Sequence, residues 1–287
     1  MSEGLKQMDF NEFPSLLREI EDPPEKLYIR GEMPEKDRVF ISIIGSRHHT
    51  PYGKSACEML IRGLAGYKVA IVSGLALGID SVAHRTAMET GIPTIAFPGS
   101  GLDQKVIYPS THKGLAEQIV QKGGTLLSEF EPDFRATPYC FPQRNRLIAG
   151  VSKATLVIEA AERSGALMTA RLAGEYGRDV AAVPGSIFSK TSVGTNRLIR
   201  TGAASITRPD DIIEVLGIEK QPEENRARYE HLNEKERLVA EELGEPKPRD
   251  ELIAALEMTT TEANVLLSSM ELKGLIKEEM GKVYLNV

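Results

Sequence analysis

Short apolar runs rich in β-branched residues alternate with amphipathic stretches through the middle of this chain. Val39–Ile44, Val69–Val72, Thr94–Phe97, Thr125–Leu127, Ala154–Ile158, Val180–Val183 and Ala204–Thr207 read as strands. Gly53–Ala65, Ile79–Thr90, Leu115–Lys122 and Leu167–Tyr176 read as helices between them. Strands that are apolar on both faces and alternate with helices predict an α/β fold, a Rossmann-like parallel sheet flanked by helices. Ahead of this region Phe13, Leu16, Leu17 and Ile20 keep helical spacing, and Asp22-Pro23-Pro24 ends that helix. Behind it Glu219-Lys220-Gln221-Pro222-Glu223-Glu224-Asn225 reads as a polar linker. Asn233–Leu243, Arg249–Leu256 and Thr261–Lys273 then follow as helices, with Thr260 or Thr261 as the N-cap of the last. Leu275–Lys277 and Lys282–Leu285 complete a small hairpin, so the tail predicts a winged-helix-like domain. The expected division is a short N-terminal helical extension over 1–38, the Rossmann-like domain over 39–218, a linker over 219–230 and the winged-helix-like domain over 231–287.

Composition places the chain among globular proteins, with 41% hydrophobic and 26% charged residues in 287. No run approaches the roughly 18–20 apolar residues of a membrane span, so no membrane partner is expected. Met1 to Phe10 is polar and lacks the apolar core of a signal peptide. Two cysteines, Cys57 and Cys140, give neither a disulfide framework nor metal spacing, and a cytoplasmic setting is expected. The formal net charge of −6 conceals a division. From Phe40 to Thr207 there are 18 Lys and Arg against 12 Asp and Glu, a net of +6, while both ends are acidic. Attraction of a polyanion follows the local field, so the middle of the chain stays open to nucleic acid.

The candidate chemistry lies where strands run into helices. Gly45-Ser46-Arg47 follows the first long strand, and a helix begins after Pro51. Free N–H groups at such a helix start can meet a phosphate, and Arg47 adds a charged fork. Ser73-Gly74-Leu75-Ala76-Leu77-Gly78-Ile79-Asp80 is a second glycine turn, matching neither the dinucleotide fingerprint nor the P-loop. Phe141-Pro142-Gln143-Arg144-Asn145-Arg146 joins a ring that can stack on a base to two arginines that can pair with phosphates, and Asn145 can contact a backbone or base edge. Arg163-Ser164-Gly165 and Gly194-Thr195-Asn196-Arg197 complete the set. Ser46, Ser73, Ser164 and Asn196 are the expected phosphate contacts of these turns, with Gly45, Gly74 and Gly165. Pro98-Gly99-Ser100 and Pro184-Gly185-Ser186 echo one another at two further strand ends.

Catalytic readings find less support. Asp80 and His84 are spaced to meet on a helix, but no third metal ligand follows, and Asp80 has a capping role at the helix start. Ser100 and Ser186 lack the nucleophile-elbow spacing. No catalytic residue, metal or cofactor is expected.

In its motifs the chain resembles the DprA/Smf (DNA processing protein A) family. The matching residues are Gly45-Ser46-Arg47, Ser73-Gly74-Leu75-Ala76, Gly78-Ile79-Asp80, His84, Gly99, Gly101-Leu102-Asp103, Tyr108-Pro109 and Ser128-Glu129. They continue through Phe141-Pro142, Arg144-Asn145-Arg146, Glu159-Ala160, Arg163-Ser164-Gly165, Val183-Pro184-Gly185-Ser186 and Gly194-Thr195-Asn196. The resemblance spans about residues 13–216. It implies a homodimeric protein that binds single-stranded DNA in a basic pocket and delivers strands to RecA recombinase during transformation. Carried across by position, that pocket would use Arg47, Lys113, Phe141, Arg144, Asn145 and Arg146. Two features depart from the family pattern. Leu77 stands where a basic residue is common, and residues 1–30 are too short for the helix-hairpin-helix region many members carry. The alternatives are a nucleotide-processing hydrolase of the Lonely Guy type, and a transcription regulator acting through its winged helix. The first needs Pro-Gly-Gly-x-Gly-Thr and a following glutamate, where this chain has Pro-Gly-Ser twice. The second needs a basic recognition helix, whereas Thr261–Lys273 offers Glu262, Asn264, Glu271 and Lys273.

Overall fold

The computed structural model describes residues 4–218, 232–243, 247–256, 258–279 and 281–285. Two compact units divide the chain, Met1–Glu219 and Lys220–Val287. The first runs β1 (Leu5–Met8), α1 (Ser15–Arg18), β2 (Leu27–Gly31), β3 (Val39–Ile44), α2 (Pro51–Arg62), β4 (Val69–Ser73), α3 (Ile79–Glu89) and β5 (Thr94–Ala96). It continues with α4 (Lys113–Gln121), β6 (Thr125–Ser128), α5 (Cys140–Val151), β7 (Ala154–Val157), α6 (Gly165–Glu175), β8 (Asp179–Ala182), α7 (Val193–Arg200), β9 (Ala204–Ser205) and α8 (Pro209–Leu216).

One nine-stranded sheet orders these strands β1-β2-β6-β5-β4-β3-β7-β8-β9. From β6 across to β9 every pairing is parallel, while β2 joins β6 and β1 joins β2 antiparallel. Both faces are covered, which is why the strands carry so few polar residues. Ile41, Ile43, Ile71 and Leu156 enter the cluster under α2, α3 and α8, whereas Ile44, Val72 and Val157 enter the one under α1, α5 and α6. The chain order reverses at β3. Strands β4, β5 and β6 build outward on one side, and β7, β8 and β9 on the other. A crevice at the carboxyl ends of the strands beside such a reversal is where sheets of this class take ligands.

Residues 1–38 are not a separate helical extension. Among the described residues of this stretch only Ser15–Arg18 is α-helical, and Leu5–Met8 and Leu27–Gly31 are strands that lengthen the sheet. The physical reason lies in Leu27-Tyr28-Ile29, whose side chains alternate between two core layers. Leu27 and Ile29 pack in the layer of Leu17, and Tyr28 packs opposite with Leu115 and Ile119 of α4. The buried Arg30 fixes the same strand through an ion pair with Glu117, 2.7 Å.

The second unit contains α9 (Glu234–Glu242), β10 (Lys247–Pro248), α10 (Arg249–Ala255), α11 (Thr260–Leu272), β11 (Ile276–Glu279) and β12 (Lys282–Leu285). Its strands pair antiparallel in the order β10-β12-β11 around Val239, Leu252, Leu267, Met270, Ile276 and Val283. The expected linker, 219–230, lies outside the described residues. Thr259, rather than Thr260 or Thr261, caps α11. Its hydroxyl accepts from the Glu262 backbone N–H at 3.3 Å, while Glu262 accepts from the Thr259 backbone at 3.1 Å. Removing the hydroxyl half of this capping box with Thr259→Ala should cost about 1 kcal/mol, read as a lowered urea midpoint for the C-terminal unit.

Candidate nucleic-acid interface

Because β3 to β8 are parallel, the turns after Ile44, Ser73, Ala96, Ser128, Val157 and Ala182 emerge along one edge of the sheet. The first two turns interlock. Ser46 O accepts from Ile79 N–H at 3.1 Å, and Gly78, at φ +82°, leaves no room for a Cβ, which would lie 2.1 Å from that same oxygen. A Cβ at Gly45 would fall 2.8 Å from the Ile79 side chain. Ser46 Oγ bonds to both backbone groups of His48, 2.9 and 3.1 Å, and this small turn leaves Arg47 exposed.

Arg47 stands over the Phe141 ring, 5.4 Å from guanidinium carbon to ring centroid, a cation–π distance. Phe141 is half-buried. It rests on Gly99, where a Cβ would fall 2.7 Å from the ring, and meets Tyr108 at 5.4 Å between centroids. Lys113 begins α4, and its ammonium donates to Lys105 O at 2.8 Å. Tyr139, 85% exposed, immediately precedes α5. At Phe141 a cation thus neighbours aromatic surface, the composition that single strands require.

Below this surface the arrangement differs from the sequence-based expectation. Arg144 is 4% exposed, its guanidinium held inside the protein. Its Nη1 donates to the carbonyls of Gly74 and Phe97, bracing the turns after β4 and β5. Burial lowers its pKa to about 10, with Asp80 opposing that shift and Arg47 adding to it, so the guanidinium stays charged at neutral pH. Gly74 N–H is taken by Asp80 Oδ2 at 3.0 Å, and Ser73 Oγ donates to Ile43 O at 2.7 Å. Ser73 and Gly74 are therefore framework, already satisfied without a phosphate. Arg146 is also engaged, pairing with Glu129 and with Asp22 at 3.3 Å. Half-buried Asn145 makes no side-chain hydrogen bond among the described residues.

Farther along the edge, Ser164 caps α6 by accepting from Ala166 N–H at 3.3 Å, and exposed Gly165 has open space about it. Asn196 is not free for a phosphate, because its amide grips both backbone groups of Gly185, 3.1 and 2.9 Å. The sequence also left Glu159 without a role. This buried carboxylate accepts from Thr50 N–H and hydroxyl, 2.9 and 2.6 Å, and from Thr191 Oγ1 at 3.1 Å. It thereby ties together the turns after β3, β7 and β8.

Asp80 and His84 do not form a dyad. Asp80, which does not cap its helix, bonds to Gly74 and Ala76 N–H; burial pushes its carboxyl up, and the Arg144 charge and these N–H groups oppose that. His84 Nδ1 meets Thr94 Oγ1 at 2.8 Å. Since Thr94 Oγ1 donates to Ile71 O, His84 Nδ1–H is the donor to it. Burial, with the charges of His112 and Arg144, depresses the His84 pKa from 6.5 to about 3. The unfolded chain then binds the extra proton between these values, so stability falls as pH drops through that window, by up to about 1.4 kcal/mol per pH unit from this group. Urea unfolding between neutral and mildly acid pH checks this, with an acid-induced loss expected.

Among the described residues no helix is long and apolar enough to cross a membrane. The family model for DNA recombination-mediator protein A matches residues 6–217. Protein Smf of Escherichia coli is 43% identical over 204 residues, covering 71% of this chain and 54% of that relative. DNA processing protein DprA of Streptococcus pneumoniae is 39% identical over 215 residues, covering 71% of this chain and 75% of the relative. The chain spans about half the length of the first curated relatives, 54% and 44%. The X-ray structure of the pneumococcal protein matches with a TM-score of 0.68 at 37% identity, over 74% of each chain. DNA processing protein A from Helicobacter pylori, described with a unique single-stranded DNA binding mode, matches with a TM-score of 0.66 at 34% identity, over 74% of this chain and 95% of that one.

Proposed function

The chain belongs to the DNA recombination-mediator protein A family, and from that membership we propose that its first unit binds single-stranded DNA at the carboxyl edge of the sheet and hands it, as a homodimer, to RecA recombinase in the cytoplasm. The observation that carries the reading is the exposed Arg47 set over the half-buried Phe141 ring. A ring with one face toward a cation serves any base, and Arg47 and Lys113 supply charge for the backbone without reading sequence. The likeness to the Helicobacter pylori protein supports the same ligand. Asp80 and His84, each held by framework hydrogen bonds, support a binding protein over a hydrolase.

The second unit is read as a protein-contacting module. Thr261, Val265, Ser268 and Leu272 are exposed along α11, and residues 220–287 carry 10 Lys and Arg against 15 Asp and Glu. A surface of that sign repels phosphates at low salt. Deleting residues 220–287 should therefore leave single-strand affinity equal or slightly higher. A large loss in a folded truncation would instead favour the regulator. For the whole proposal, strand titrations run beside a nucleotide-hydrolysis assay should give binding without turnover, and RecA should nucleate faster on strands supplied with this protein. Hydrolysis without strand binding would overturn the proposal.

A further inference from the structure

The turn between β8 and α7 carries an exposed apolar pair, Ile187 and Phe188, 83% and 92% exposed. Exposing two large side chains side by side forgoes roughly 1.5–3 kcal/mol of burial for each, yet the turn is firmly held. The Asn196 amide fixes Gly185 at its start, Ser186 Oγ accepts from Phe188 N–H at 3.2 Å, and Ser189 and Thr191 hydroxyls bond at 2.9 Å. Thr191 Oγ1 reaches Glu159, which also holds Thr50 at the head of α2. Tyr52, half exposed on that helix, donates its hydroxyl to Pro184 O at 2.7 Å. The anchored Phe188 thus lies on the same sheet edge as Arg47, joined to the Arg47 turn through Thr50, Glu159 and Thr191.

The charge beside it suits a polyanion. Lys190 follows two residues later, and Arg163 lies on the neighbouring turn, which meets this one through Ala160 N–H to Thr191 O at 2.8 Å. Both cations are exposed and have no ion pair among the described residues, although Glu162 sits next to Arg163 in the chain. Aromatic surface flanked by cations is the same combination found at Arg47 and Phe141.

We propose that the Ser186–Lys190 turn is a second strand-contacting subsite, in which Phe188 stacks on a base and Lys190 and Arg163 meet phosphates of a single strand long enough to continue from Phe141. This rests on the reading of the edge as a single-strand site. The test is fluorescence anisotropy of the full chain with oligothymidylates of about six and about thirty nucleotides, bracketing the span of one site, with light scattering to follow its mass. Phe188→Ala should leave short-strand affinity unchanged and weaken the long strand roughly tenfold. Phe188→Trp should retain long-strand affinity, and Lys190→Ala should flatten the long-strand salt slope by about 0.7. Because Phe188 packs on almost nothing, its variants test binding rather than folding. Wild-type binding of both lengths with an unchanged Phe188→Ala would overturn this subsite alone. So would a long-strand defect that appears only with loss of dimer mass, which would make the turn a contact between copies. A wild type that binds neither length would overturn the reading of the whole edge.

Discussion

Arg144→Ala should destabilise the first unit by about 3–5 kcal/mol, the largest stability loss expected of any single change at this edge. Arg144 and Asp80 are both buried, and together they bond the turn after β4 from two sides, through Gly74 O and Gly74 N–H, with Phe97 O held as well. Removing the guanidinium leaves a buried carboxylate without its compensating charge and leaves two carbonyls unpaired. Asp80→Asn in the Arg144→Ala background should recover part of the loss, because it removes the orphaned charge. Urea unfolding of the single and double variants measures both. An Arg144→Ala protein as stable as wild type but defective in binding would place the guanidinium on the strand instead.

Phe141→Ala should weaken single-strand binding by roughly 1–3 kcal/mol and leave the salt slope nearly unchanged, since no charge is lost. The ring divides its surface between the protein and the solvent side. One part packs on Gly99 and Tyr108, and Arg47 approaches its face. Its half-buried position also predicts a stability loss below the roughly 3–5 kcal/mol of a fully buried phenylalanine. A titration and a melting curve on the same variant separate the two effects. Destabilisation with normal affinity in the folded fraction would reduce Phe141 to a packing residue.

The apolar runs from Val39 onward foretold the parallel strands because a strand buried on both faces has no freedom to be polar. Leu27-Tyr28-Ile29 carries no such signal because it is short, follows two prolines, and pairs with β6, far away in sequence. At the site, residue type pointed to the right edge but not to the role of each side chain. The Phe141–Arg146 segment reads as one basic, aromatic motif, yet helical spacing turns Arg144 into the protein and Arg146 toward Glu129, while Phe141 stays at the surface. Periodicity within the motif carries that distinction only once it is known to begin a helix. Asn196 illustrates the same limit, since the backbone it grips at Gly185 is brought to it by the strand end before α7. Tyr108 is legible as an aromatic beside Pro109, but only the fold sets its ring next to Phe141. Glu159 gave no local signal, as its partners come from two other turns.

The salt dependence of single-strand affinity in the Arg47→Ala/Lys113→Ala double variant tests the central claim most directly. Both cations lie at the edge, while Arg144 and Arg146 are committed within the protein, so the strand's phosphates should be met by the first pair. At roughly 0.7 per phosphate contact, the slope of log affinity against log salt should flatten by about 1.4, with duplex of the same length bound more weakly throughout and little change in melting temperature. A folded double variant with the wild-type slope and affinity would contradict the account and move the site away from Arg47 and Phe141.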